Sequence, residues 1–278
     1  MSATDLPTVS LVIPAYNEES TIRACVLAAI EQTDPADEII VVDNLSTDGT
    51  SRVLDELRRE HPDAPLRAFT QNESQGLVPT RDLGLDRALG EVLGRIDADT
   101  VLEPNWVHEV RRIFADPAIG AATGPMIYYD MPLRRFGHRA DDAMRRAILR
   151  LARDYHFLFG SNMAIRASAW RDIRSVVCRD EDDEYHEDID LSIHLFQRGH
   201  RVVYDQQMVA GMSARRLDDN PRDFLNYVWR YQRTYDGHGI DDPRLRAPMV
   251  VWTALYPALK GMRAVVESSV PPKKRSHP

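Results

Sequence analysis

The stretch Val92-Leu93-Gly94-Arg95-Ile96-Asp97-Ala98-Asp99-Thr100 decides how this chain is read, because an apolar run ends there abruptly in two carboxylates one residue apart. Placing two carboxylates together at the end of a buried strand is costly unless positive charge sits between them. A divalent cation is the natural candidate. Hard oxygen ligands suit Mg²⁺ or Mn²⁺, and such ions commonly bridge one or two carboxylates to a diphosphate. A lone D-x-D also occurs in solvated turns, so its weight depends on what the rest of the chain places beside it.

Upstream, Val9 to Ile13 is a short run closed by Pro14, too short for a helix and rich in β-branched residues. The loop Ala15-Tyr16-Asn17-Glu18-Glu19 then leads into a helix whose apolar positions Ile22, Val26, Ala29 and Ile30 repeat at helical spacing. Glu38 to Val42 is a second buried strand, ended by Asp43-Asn44-Leu45-Ser46-Thr47-Asp48-Gly49-Thr50, and the next helix turns Val53, Leu54 and Leu57 inward. Strand, helix, strand predicts a parallel crossover. The alternation continues with a strand over Leu66 to Thr70, a helix over Gly76 to Leu89, the strand Val92 to Ile96, and a helix opened by Pro104 that carries Val107, Val110 and Ile113. The expected fold class is α/β, a mostly parallel central sheet flanked by helices. In such sheets ligands bind beyond the carboxyl ends of the strands. Three of those ends carry Tyr16 with Glu18, Asp43 with Asn44, and Asp97 with Asp99. Neither G-x-G-x-x-G nor G-x-x-x-x-G-K-[ST] follows the first strand, so any phosphate must be held in another way.

With 278 residues, 43% hydrophobic and 28% charged, the chain can build a substantial core in one large or two small domains. Its 43 acidic against 35 basic residues give a net charge of −8, which argues against a general nucleic-acid binder. Cys25 and Cys178 form no C-x-x-C and fit a reducing compartment, both as thiols. The first ten residues lack a basic region and a long apolar one, and no apolar run approaches the roughly 18 residues of a membrane span. The expectation is a soluble cytoplasmic protein, with peripheral contact at the inner face of the membrane as an open alternative.

Four ordered segments resemble the family 2 glycosyltransferases with the GT-A fold: residues 9–18 (VSLVIPAYNE), 41–50 (VVDNLSTDGT), 97–99 (DAD) and 186–191 (HEDIDL). The resemblance covers about residues 8 to 215, and the ordered set is far more specific than any one member. It implies an inverting enzyme that takes a UDP- or GDP-sugar with Mg²⁺ or Mn²⁺ and serves a glycan, lipid-linked or small-molecule acceptor. By this likeness Pro14, Ala15, Tyr16 and Glu18 border the base and ribose. Asp43-Asn44 stands where the family usually has two acidic residues; the amide still donates and accepts hydrogen bonds but carries no charge. Residues 76–84, GLVPTRDLG, match a segment often reading G-x-x-x-A-R-N-x-G, in which Arg81 lies near the nucleotide or partners a carboxylate. Asp97 and Ala98 then face the nucleotide sugar, Asp97 towards the ribose, and Asp99 holds the metal.

The second half breaks the alternation. Residues 1–124 are expected to form the nucleotide-sugar-binding half, 125–216 the acceptor-binding half of the same domain, and 217–278 a helical extension with a disordered basic tail at Pro271 to Arg275. Pro125 to Tyr129 reads as a strand, followed by a polar segment with a helix from about Asp141 to Tyr155. Its arginines, Arg134, Arg135, Arg139, Arg145, Arg146, Arg150 and Arg153, form either a solvated face or a surface for an anionic acceptor or membrane. The resemblance sets Gly160, Ser161 and Asn162 beside the donor sugar and acceptor, while the acidic run Asp180 to Glu184 reads as a solvated loop. Tyr185-His186-Glu187-Asp188 leads into Ile189, Leu191, Ile193, Leu195 and Phe196, a helix closed by Gly199. Carboxylates in its first turn suit the helix dipole in any case. By resemblance Asp188 is the general base, Glu187 orients it or binds acceptor hydroxyls, and Asp190 supports the helix or an arginine. Strands over Arg201 to Asp205 and Val209 to Met212 precede Arg215 and Arg216, whose guanidiniums suit a leaving diphosphate. Phe224, Tyr227, Val228, Tyr231 and Tyr235 make an aromatic stripe, and Met249 to Val266 is amphipathic, fit to dock on the catalytic domain, pair two subunits or touch a membrane. The rival classes are a nucleotidyltransferase, which would need a basic triphosphate loop where Pro14 to Glu19 is acidic, and a non-catalytic sugar-nucleotide-binding protein.

Overall fold

The computed structural model describes residues 6–132, 134–152, 157–180 and 184–269. The first half alternates as expected: β1 (Val9–Ala15), α1 (Ile22–Ile30), β2 (Glu38–Asp43), α2 (Thr50–Glu60), β3 (Leu66–Thr70), α3 (Leu77–Arg87) and β4 (Val92–Arg95). β1 pairs in parallel with both β2 and β4, and β2 with β3. The carboxyl ends of these strands therefore share one edge of the sheet.

β5 (Val101–Leu102), α4 (Trp106–Phe114), β6 (Ile119–Thr123), β7 (Met126–Tyr128) and α5 (Arg134–Ala152) come next. They are followed by β8 (Met163–Arg166), α6 (Ala167–Ile173), α7 (Glu187–Gln197), β9 (Arg201–Tyr204), β10 (Ala210–Met212), α8 (Pro221–Gly237) and α9 (Ala247–Ser269). The seven-stranded sheet runs β3-β2-β1-β4-β8-β6-β9, and β8 is antiparallel to both of its neighbours. A small second sheet, β5-β10-β7, flanks it.

Strands buried on both faces read as continuous apolar runs. Alternate residues of β1 feed the two layers: Leu11 and Ile13 pack with Ile22, Val26 and Trp106, whereas Val12 packs with Ile40, Leu93, Trp170 and Leu191. Burying each such side chain contributes about 1.5–3 kcal/mol. Gly94 lets α4 approach: a Cβ there would sit 2.7 Å from the Trp106 ring.

The aromatic stripe of α8 divides between two satellite cores. Phe224 stacks on Tyr256 of α9 with ring centroids 4.1 Å apart, and Tyr235 packs with Ile148 of α5 and with Ile189 and Ile193 of α7. Through Met249 and Tyr256, α9 seats against Ala214 and Leu217 of its own chain. Among the described residues no helix is long and apolar enough to cross a membrane.

Three local expectations change. β6 was not anticipated, because Ile-Gly-Ala-Ala-Thr is poor in β-forming side chains and is made a strand by its neighbours β8 and β9. α5 begins at Arg134 rather than near Asp141, and the expected end at Tyr155 lies outside the described residues, as do residues 181–183 of the acidic run and the basic tail. One arginine of α5 is internal: Arg145 is buried, 2.6 Å from Asp141 and over the Phe159 ring, whereas Arg146, 2.9 Å from Asp142, stays partly exposed.

Candidate active site

The loops after β1 and β2 are stitched together. Asn17 adopts the left-handed region (φ +55°), and its Oδ1 accepts from the backbone N–H of Thr47 at 2.8 Å. The Glu18 N–H donates to Thr50 Oγ1 at 2.8 Å. Asp43 accepts from Ser46 and Ser51, both hydroxyl bonds being 2.5 Å. Tyr16 stands out from this frame, 48% exposed, its ring available to a planar ligand.

Beyond β4 the charges concentrate. Arg95 is buried, with Nη2 2.9 Å from Asp97 Oδ1 and 2.9 Å from Glu187 Oε1. Asp99 is nearly closed off, its Oδ2 3.0 Å from Arg215 Nε. The same guanidinium grips Glu18 through Nη2 (2.6 Å) and Nη1 (2.9 Å). Burial first, then the Asp97 charge, push the Asp99 carboxyl up to about 6 against the pull of Arg215. Asp97 is also raised, chiefly by burial. Two carboxylates whose shared negative charge is costly here, Asp99 being offset in part by the half-exposed Arg215, form an all-oxygen donor set that fits a hard divalent cation. Tyr129 adds a bond from its hydroxyl to the Asp99 carbonyl at 2.9 Å.

The start of α7 closes the site. Glu187 is held from two sides, Oε2 3.1 Å from Arg81 Nη1 and Oε1 by Arg95. Asp188 accepts the N–H of Gly160 at 2.9 Å and that of Ile189 at 2.9 Å. Burial and the adjacent Glu187 outweigh those N–H bonds and lift the Asp188 carboxyl to about 7. A side chain at position 160 would displace Arg95: a Cβ would lie 1.9 Å from its Nη1. His186 anchors this end of α7 to α8, donating its backbone N–H to Thr234 Oγ1 at 2.8 Å, while burial holds its ring neutral with a pKa of about 3. Arg216 lies over the Tyr227 ring at 4.1 Å.

Residues 10–174 match the model described as Glycosyl transferase family 2, and residues 95–257 match Glycosyl transferase family group 2. The chain belongs to glycosyl transferase family 2. Among curated relatives, Glycosyltransferase AglE of Haloferax volcanii is 34% identical over 104 residues, 37% of this chain and 34% of that protein. Chondroitin synthase of Escherichia coli is 34% identical over 102 residues, 37% of this chain and 14% of the synthase. These matches thus span about a third or less of the relatives' own length. Mannosyltransferase PcManGT from Pyrobaculum calidifontis, solved in complex with GDP-Man and Mn²⁺, aligns over 95% of this chain and 75% of its own at 20% identity, with a TM-score of 0.65. The S. aureus TarS 1-349 complex with UDP-GlcNAc aligns over 90% of this chain and 72% of its own at 15% identity, with a TM-score of 0.57. The fold is thus the GT-A type.

In this family 2 chain the residues singled out from sequence separate into groups. Glu18, Asp99 and Arg215 meet directly, and Asp97, Glu187, Asp188, Gly160 and Arg81 are joined through Arg95 and its neighbours. Pro14 and Ala15 are buried backbone of β1, and Ala98 is buried between the two aspartates. Arg81 is turned inward, fully buried and paired with the carboxylates of Asp82 and Glu187. Asn44 is turned away as well, its Nδ2 donating to the Gln71 and Ser74 carbonyls and its Oδ1 accepting from the Gly76 N–H. Asn162 is a scaffold residue, with Nδ2 on the Pro125 and Met208 carbonyls and Oδ1 on Trp106 Nε1. Ser161 sets its hydroxyl 3.9 Å from the sulfurs of Met126 and Met212. Among the described residues Asp190 contacts no arginine directly but accepts from the Cys178 N–H and pairs with His238. Arg95 was missed; its signal was a lone arginine inside an otherwise apolar strand.

Proposed function

We propose that this chain is an inverting glycosyltransferase that moves a sugar from a UDP- or GDP-sugar to an acceptor hydroxyl, with Asp188 as general base. The observation that carries this reading is the Asp188 carboxyl, raised to about 7 and fixed by the Gly160 N–H, in one network with Glu187, Arg95 and Asp97. A base is served by a pKa raised towards the working pH and by a fixed direction; burial and Glu187 raise Asp188, and the Gly160 and Ile189 N–H groups orient it.

In the reaction the acceptor oxygen forms a bond to the anomeric carbon as the bond from that carbon to the diphosphate oxygen breaks. The acceptor proton passes to Asp188, while Glu187, held by Arg81 and Arg95, keeps the carboxylate oriented. Mg²⁺ or Mn²⁺ held by Asp99, with Asp97 alongside, would supply positive charge to the departing diphosphate. Arg215 is set to share that task with its paired N–H groups, and Arg216 stands behind it on Tyr227. Tyr16, Glu18 and Asp43 line the strand ends where base and ribose would lie. In this proposal residues 1–124 bind the donor and 125–216 receive the acceptor.

A panel of nucleotide sugars, each assayed with Mn²⁺ and with chelator, tests the proposal. Metal-dependent transfer, or slow donor hydrolysis, is expected for at least one donor. Metal-dependent binding with neither reaction would favour a non-catalytic sugar-nucleotide-binding protein.

A further inference from the structure

Four side chains outside the donor cleft converge on one point. Asp190 and His194 lie one turn apart on the same face of α7, His238 caps the end of α8, and Cys178 follows α6. Asp190 Oδ1 is 2.8 Å from His238 Nε2 and 3.4 Å from His194 Nε2, and Cys178 Sγ is 3.9 Å from His238 Nε2. One ligand atom from each of the four lies within 4.8 Å of all the others.

We propose that Cys178, Asp190, His194 and His238 form a structural zinc site, distinct from the carboxylate site at Asp97 and Asp99. A sulfur, two imidazole nitrogens and one carboxylate oxygen are a borderline-soft, four-membered set suited to tetrahedral Zn²⁺, whereas the all-oxygen pair suits Mg²⁺ or Mn²⁺. Bonds of 2.0–2.3 Å place tetrahedral ligand atoms roughly 3.3–3.7 Å apart, so side-chain shifts of about an ångström or less complete the shell. The surroundings are already arranged for it. Asp190 Oδ2 is taken by the Cys178 N–H at 3.0 Å, which fixes the carboxylate and leaves Oδ1 facing the imidazoles. The two rings meet edge to face, centroids 5.0 Å apart at 76°, bringing both Nε2 atoms to the same carboxylate oxygen. Nε2 of His194 is buried and makes no aligned hydrogen bond, although that oxygen is 3.4 Å away. A hydrogen-bonded cluster without metal leaves that nitrogen unsatisfied; a cation at the centre satisfies all four donors.

The site would pin three separate segments together: the chain after α6, helix α7 and the end of α8. Asp190 is two residues beyond Asp188, on the opposite face of the helix, so the metal would fix the helix that presents Asp188 without touching the cleft.

Metal analysis of the full chain tests this. After purification without chelator and dialysis, wild type and Asp99→Asn are both expected to retain about one equivalent of zinc. Once stripped, wild type should take up Co²⁺ with a thiolate-to-cobalt charge-transfer band and intense tetrahedral d–d bands. Cys178→Ser should lose the charge-transfer band, and His194→Ala should weaken retention at least about tenfold. The proposal is overturned by zinc that Asp99→Asn abolishes, by a weak octahedral Co²⁺ spectrum without the thiolate band, or by folded wild type that holds no metal. The wild-type cobalt spectrum decides the matter even if a variant fails to fold.

Discussion

Arg215 ties Glu18, just past β1, to Asp99, just past β4, with Nη2 2.6 Å from Glu18 Oε1 and Nε 3.0 Å from Asp99 Oδ2. One guanidinium thus spans two strand ends from a turn more than a hundred residues downstream of both. Bound diphosphate would offer Arg215 a better-matched anion than either carboxylate and would leave Asp99 free for a cation. Charge-assisted bonds of this kind contribute about 1.5–3 kcal/mol, so Arg215→Ala should weaken nucleotide-sugar binding roughly ten- to a hundredfold by titration calorimetry. Arg215→Lys should recover little, because an ammonium cannot reproduce the fork.

Transfer should depend on pH through Asp188. Its carboxyl keeps its proton to about 7, above the ordinary aspartate range. A base acts only when deprotonated, so kcat should be low in acid, rise through about pH 7 and level off above. A profile already flat from about pH 5 upward would remove Asp188 from that role.

A side chain at Gly160 should cost activity rather than the fold. An added Cβ would lie 1.9 Å from Arg95 Nη1 and 3.0 Å from Glu187 Oε1, displacing the arginine that joins Asp97 to Glu187. Gly160→Ala is expected to fold, judged by circular dichroism, and to lose about a hundredfold in kcat through misplacement of Glu187 and Asp188. Arg95→Met should be worse for the fold, because Asp97 loses its arginine and Glu187 one of its two.

Asn162 and Tyr16 should behave oppositely. Asn162→Ala strips partners from the Pro125 and Met208 carbonyls and from Trp106 Nε1, at about 1–3 kcal/mol for each group left unsatisfied, and should lower Tm sharply. Tyr16→Ala removes an exposed ring and should leave Tm within a degree or so while raising the donor KM.

The parallel half of the sheet was legible because Val9 to Ile13, Glu38 to Val42 and Val92 to Ile96 are mostly apolar runs broken only by Ser10, Glu38 and Arg95, and a buried parallel strand needs little else. β6 was hidden because its glycine and alanines owe their strand geometry to β8 and β9. The charged residues of the site were legible as types and positions, but their partners were not. Asn44 and Asn162 sit at motif positions, yet their amides are consumed by carbonyls that only tertiary folding brings near. Arg95 and Arg81 meet Glu187 across more than ninety residues of chain, a contact no local pattern encodes.

Asp188→Asn keeps the shape of the side chain and removes its capacity to accept a proton. Binding of a nucleoside diphosphate with Mn²⁺ and single-turnover transfer should be measured side by side on this variant and wild type. Unchanged affinity with transfer reduced by at least about a thousandfold is the expected result. Transfer within a few-fold of wild type would mean that another group takes the acceptor proton.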